Sequence, residues 1–220
     1  AGRGWGLHDK QTIFNEAIPF ARYPSLGVGQ ALEPQAEYVE PYREIDGRWG
    51  FHTGVHWDYL KKSRLRYYYY NNKADETILA RNGQYAWHTI FHSLAWQYRF
   101  NKEWRLIMHA MDGNTAMGPG AVNGDFRSWY AMLHYRDKQQ SFTIRFDDFA
   151  TLDKDGLIPE DNNNGDGWGL TSTYRYNINQ HWQIGTEIVY VDSYQANRAQ
   201  FDEDTDIEQL QWLGIVQYRF

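Results

Sequence analysis

From residue 44 to the end, apolar and polar residues alternate almost one for one, in stretches separated by polar or Gly-containing breaks. Nine such stretches, at about 47–60, 63–71, 85–100, 104–112, 126–136, 140–149, 167–178, 181–192 and 207–220, are predicted strands, because period-two alternation gives a strand two unlike faces. Trp129, Ala131, Leu133 and Tyr135 share one face of the fifth, against Ser128, Tyr130, His134 and Arg136. Trp182, Ile184, Thr186, Ile188 and Tyr190 oppose Gln183, Gly185 and Glu187 in the eighth. Leu210, Trp212, Val216, Tyr218 and Phe220 oppose Gln209, Gln211, Gln217 and Arg219 in the last.

The connections alternate as well. Lys61–Lys62, Asn101–Glu103, Asp137–Gln139 and Asn179–Gln180 read as short turns, and 72–84, 113–125, 150–166 and 193–206 as long loops rich in Gly, Asn and Asp. Along the apolar face, aromatic residues such as Trp96, Tyr98, Trp104, Tyr135, Trp182 and Tyr218 sit beside the short turns, and Trp49, Trp129, Trp168 and Tyr190 near the long loops. Val55, Leu94, Leu106, Leu133, Ile144 and Ile188 lie between them. Two aromatic girdles around an aliphatic band, with loops long on one side only, are features of a transmembrane barrel. A soluble β-sandwich shares the alternation, but gives no reason for one-sided loops or aromatic strand ends.

The expected fold is therefore all-β: an antiparallel transmembrane β-barrel with nine strands visible and about ten expected, since such barrels hold an even number. Residues 1–43 form an N-terminal segment carrying four of the six prolines, mostly irregular, with one candidate strand near 10–23. A twelve-strand barrel, or a segment of a 16–18-stranded one, is the alternative.

Composition narrows the choice. Mean hydropathy is −0.76 although aromatics reach 17%, so the apolar mass sits in amphipathic rings. No run approaches the roughly 20 apolar residues of a spanning helix. Without cysteine, disulfide scaffolds and thiol chemistry are excluded. A net charge of −6 with no basic run argues against nucleic acid. The chain begins at Ala1 without a basic, apolar leader, as expected of a processed exported protein or a fragment.

The stretch from Gln140 to Phe220 resembles the C-terminal region of a family of bacterial outer-membrane porin-like proteins. The similarity runs through Ser141–Phe149 (SFTIRFDDF), Pro159–Trp168 (PEDNNNGDGW), Tyr174–Tyr176, Ile188–Ser193, Gln209–Trp212 and Gln217–Phe220 (QYRF). The resemblance implies an outer-membrane location with long loops extracellular, contact with membrane lipid and lipopolysaccharide, and recognition of the terminal Phe by barrel-assembly machinery. It also implies passive diffusion of small solutes. Gly214 falls one place early for the usual assembly signal, and family chains are near twice this length, so a partial porin, an oligomer or a partner chain enters the expectation.

If the apolar face meets lipid, the other lines a lumen. It carries Arg64, Arg66, Arg99, Arg105, Arg136, Arg145, Arg175 and Arg219 against Asp58, Asp147 and Glu187, a positive wall in a negative protein. One-sign walls concentrate counter-ions, and arginine rings select anions; alternatively these arginines pair with acids and fill the barrel. Tyr68, Tyr70 and Tyr130 are candidate platforms for stacking solutes, or interior packing. Asp161, Asn163 and Asp166 form a weak calcium-loop pattern without the distal Glu of an EF-hand. No cofactor is expected, and no enzyme. His52 and His56 share a face with Asp58, but at i,i+4 on a strand they stand about 13 Å apart, too far for one metal. The function expected is passive transport of small anionic solutes, with an outer-membrane hydrolase or a structural or adhesive barrel as alternatives.

Overall fold

The computed structural model describes residues 17–19, 23–30, 32–40, 43–156 and 162–220. Two short strands, β1 (Ile18–Pro19) and β2 (Tyr38–Val39), pair antiparallel in a small sheet of their own. The rest of the candidate strand near 10–23 lies largely outside the described residues.

All nine predicted strands are present: β3 (Phe51–Tyr59), β4 (Ser63–Asn71), β5 (Trp87–Arg99), β6 (Trp104–Met117), β7 (Val122–Arg136), β8 (Gln140–Asp153), β9 (Gly165–Asn177), β10 (Trp182–Gln195) and β11 (Asp206–Tyr218). They form one sheet in chain order, each antiparallel to its neighbours. The sheet is not closed: β3 and β11 are edges, and among the described residues no tenth strand joins them. With nine strands the two edges run in the same direction. An all-antiparallel closure therefore needs an odd number of further strands.

The short turns fall where the pattern put them. Leu60 and Lys61 both adopt positive φ, 47° and 55°, and the Lys62 N–H donates to Tyr59 O across the turn at 2.9 Å. Such left-handed pairs match the twist of a tight hairpin. One long loop needs correction. The connection expected at 113–125 is only residues 118–121, with Gly118 and Gly120 at φ 70° and 75°, because β6 and β7 continue beyond their predicted ends. Gly113 belongs inside the strand: a Cβ there would stand 2.5 Å from Ile90 O and 2.6 Å from the Phe126 ring. Thr89 and Thr115, both buried, join hydroxyls at 2.9 Å beside it.

Among the described residues, core packing is confined to the long-loop end. Leu32, Tyr85, Met117 and Ala121 are buried together, with Leu26, Trp87 and Val122 against them. Segment 23–40 thus rests on the ends of β5, β6 and β7. The Tyr85 N–H donates to Gln35 Oε1 (3.0 Å), the Glu40 N–H to Gln84 Oε1 (2.8 Å) and Gln84 Nε2 to Glu40 Oε2 (2.9 Å). Tyr23 meets Phe201 of the β10–β11 loop edge-on at 5.3 Å between ring centroids. One segment so ties the loops of the sheet's middle to those of its far end.

Candidate functional site

Backbone register sorts the side chains into two faces with opposite exposure. In β5 to β10, every fully exposed strand residue except Arg136 and Arg175 lies on the apolar face. Phe142, Ile144 and Phe146 are exposed while Thr143, Arg145 and Asp147 between them are half-buried. A water-soluble sheet buries its apolar face; this one presents it, with Leu94 45% and Ile188 47% exposed on inner strands. Hydroxyls on that face are engaged internally: Trp96 Nε1 donates to Ser63 Oγ (2.9 Å) and Trp212 Nε1 to Thr186 Oγ1 (2.5 Å). Phe146 and Trp168 stack 6.0 Å apart, and Trp129 and Tyr190 flank them in an aromatic row across β7 to β10. From Trp182 to Tyr190 the apolar face of β10 runs about 26 Å along the strand, which at the 35–45° tilt of barrel strands is about 20 Å of height, within the ≈25 Å lipid band of outer-membrane barrels.

The polar face holds all eight predicted arginines, in two groups. Arg66 and Arg64 lie 2.8 and 3.9 Å from Asp58, and Arg145 pairs with Asp147. Among the described residues, no carboxylate lies within ion-pair distance of Arg99, Arg105, Arg136, Arg175 or Arg219. These five gather at the short-turn end. Arg99 and Arg105 face one another across β5 and β6, and Arg99 Nε is buried without a hydrogen-bond partner. Like charges directly opposite on paired strands repel, so this end of the face carries positive charge that no described carboxylate offsets.

Arg136, Arg175 and Arg219 line a hollow of about 300 Å³ together with His134, Gln140, Ser141, Thr143, Thr173, Asn177 and Gln183. No carboxylate is among its walls. Gly185 makes room for Arg175, since a Cβ would stand 3.0 Å from the Arg175 Cγ. Arg219, just past β11, is anchored through its backbone: its N–H donates to His181 O (2.8 Å), and its carbonyl bonds His181 Nδ1 (3.0 Å). At the rim, the N–H groups of Gln140 and Gln139 and the Tyr135 hydroxyl converge on Asp137, and hold its pKa down to about 2.

The predicted stacking tyrosines have engaged faces. Tyr70 stacks on Phe91 at 5.0 Å, Tyr68 bonds His56 Nε2 and stacks on His52, and Arg145 covers Tyr130 at 4.1 Å. Of the calcium-loop residues, Asp161 lies outside the described residues. The Asn163 N–H donates to Asp153 Oδ2 (2.7 Å), and Asp166 is the second residue of β9, on the apolar face. Among the described residues no three His or acidic side chains are grouped to hold a metal ion.

Two features escaped the sequence. Asp153, reached by the longer β8, adds an acid to the polar face, and its carboxylate is taken up by the Asn163 and Asp155 N–H groups. Ser93 Oγ and His109 Nε2 are 2.8 Å apart on neighbouring strands, visible only once the register is known. Among the described residues no carboxylate bonds the other ring nitrogen of His109, and strand N–H groups around Ser93 are committed to ladders with β4 and β6. A hydrolase triad and its oxyanion hole are not assembled there.

The chain matches no protein-family model and no curated protein.

Proposed function

We propose that this sheet is the larger part of an outer-membrane β-barrel whose polar face lines a channel for small anions. The observation that carries the reading is the inverted exposure of the faces: in the inner strands the apolar side chains are exposed, and the face that carries the arginines is the more covered one. Membranes admit only helices and closed barrels, because unpaired backbone groups in hydrocarbon are costly. The exposed edges β3 and β11 must then be joined by an odd number of further antiparallel strands. The resemblance of 140–220 to porin-like proteins supports the same location, with the loops 154–164 and 196–205 outside the cell and the short turns toward the periplasm. Lipid and lipopolysaccharide are then the partners of the apolar face.

The selectivity follows from the arginines. Three are paired with the two acids Asp58 and Asp147, which leaves one net positive charge among them, and five have no acid partner, so most of the free positive charge concentrates at the periplasmic mouth, where it raises the local anion concentration. The test is the reversal potential of the reconstituted protein under a KCl gradient. Anion preference that falls in the Arg99→Gln/Arg105→Gln/Arg175→Gln variant supports the reading; cation preference of the native chain contradicts it.

A further inference from the structure

We propose that the hollow at the short-turn end is a discrete binding site for a small hydroxylated oxyanion, of which hydrogen phosphate is the simplest. The site rests on the reading that the polar face is wetted by water, and it gives that face a substrate class.

Three arginines line one cavity that has no carboxylate in its walls, while on the same face Arg64, Arg66 and Arg145 are paired with the acids Asp58 and Asp147. Guanidinium forks match the paired oxygens of phosphate and carboxylate, and their affinity for a dianion exceeds that for a monoanion. All three arginines are open to water, so a ligand reaches them without displacing protein. At about 300 Å³ the hollow suits a small solute.

Gln183 makes the site more specific than its charge. Its Nε2 donates to Asn177 Oδ1 (2.7 Å), and Asn177 Nδ2 in turn donates to Lys138 O (3.3 Å), which fixes the orientation of the amide. Gln183 Oε1 is left buried and without a hydrogen-bond partner, in a side chain that lines the hollow. A buried acceptor without a donor is costly. A ligand that satisfies it carries a donor, such as a hydroxyl, as well as negative oxygens. Hydrogen phosphate does; sulfate, of nearly the same size and charge, has no proton to give. Ser141 and Thr143 add hydroxyls that either donate or accept at the remaining oxygens.

The experiment is isothermal titration of the folded protein in detergent micelles with sodium phosphate, and separately with sodium sulfate, at pH 7 and matched ionic strength. Phosphate should bind at least about tenfold more tightly than sulfate, the worth of one hydrogen bond to a charged group. Arg175→Gln, or Arg219→Gln where the first does not fold, should weaken phosphate binding by more than about tenfold. Arg64→Gln, whose arginine is paired with Asp58, should leave it unchanged. Gln183→Leu should bring phosphate and sulfate together. No phosphate binding by the native chain, equal binding of sulfate, or indifference to both arginine changes overturns the site. The conductance of the same preparation separates the two proposals: a channel that ignores phosphate defeats only the site, and phosphate binding without conductance defeats only the channel.

Discussion

Arg145 holds its guanidinium 4.1 Å above the ring of Tyr130 while bonding Asp147 two residues along the same strand. One contact therefore removes both a free charge and a stacking surface from the polar face. Replacing Arg145 with Gln is expected to cost about 0.5–1 kcal/mol of stability, the size of an exposed cation–π contact. The charge-neutral double change Arg145→Gln/Asp147→Asn should change anion selectivity far less than Arg175→Gln does. Equal effects of the two changes on reversal potential would show that paired and unpaired arginines do not differ.

Ile188 and Phe146 stand on the exposed apolar face near the middle of β10 and β8. Arg at either position should destabilise the protein in lipid vesicles by roughly 2–4 kcal/mol, as expected near a bilayer midplane. Gln211→Arg, on the polar face of β11, should be close to neutral. Urea unfolding in vesicles reads the difference, and equal tolerance of both sets would assign the faces wrongly.

The strands were legible because each face repeats every second residue, a signal that survives without knowledge of neighbours. The 113–125 loop misled because Asp112, Gly113, Asn114, Gly124 and Asp125 look like turn formers. They lie above the apolar band, where polar residues alternate with polar residues and the pattern vanishes, while Gly113 is required by the crowding of Phe126 and Ile90 O. The arginines were legible as one face but not as two groups, since pairing depends on which strand brings Asp58 or Asp147 alongside. Nor does local pattern reveal segment 23–40 against the loop at 76–86, because Gln35 and Tyr85 are 50 residues apart.

That segment provides a third prediction. Leu32 is 5% exposed in the cluster with Tyr85, Met117 and Ala121. Leu32→Ala should weaken docking by about 2–5 kcal/mol, the range for a buried leucine. Gln84→Ala, which removes both bonds to Glu40, should act in the same direction. Limited proteolysis of folded protein should then cut within 23–40 many times faster, with β3 to β11 unaffected. An unchanged cutting rate would mean that the segment is held elsewhere.

The Asp137 turn supplies a pH dependence. Its folded pKa, about 2, lies below the ordinary 3.8, so it contributes stability that is fully present above pH 4 and lost as pH falls toward 2. Amide exchange at Gln139 and Gln140, whose N–H groups it accepts, should accelerate across that window in the native chain. In Asp137→Asn the acceleration should be absent. Identical pH profiles for the two proteins would place the titrating group elsewhere.

The claim beneath all of these is that the exposed apolar face meets lipid and the arginine face meets water. The chain has no cysteine, so single spin labels can be attached at introduced cysteines without background. Labels at each position from Thr186 to Val191 of β10, in protein reconstituted into vesicles, should alternate with period two. Those at 186, 188 and 190 should collide with oxygen, which concentrates in the bilayer, and those at 187, 189 and 191 with a water-soluble nickel complex. Accessibility without alternation, or with oxygen favouring the Glu187 side, would contradict the account.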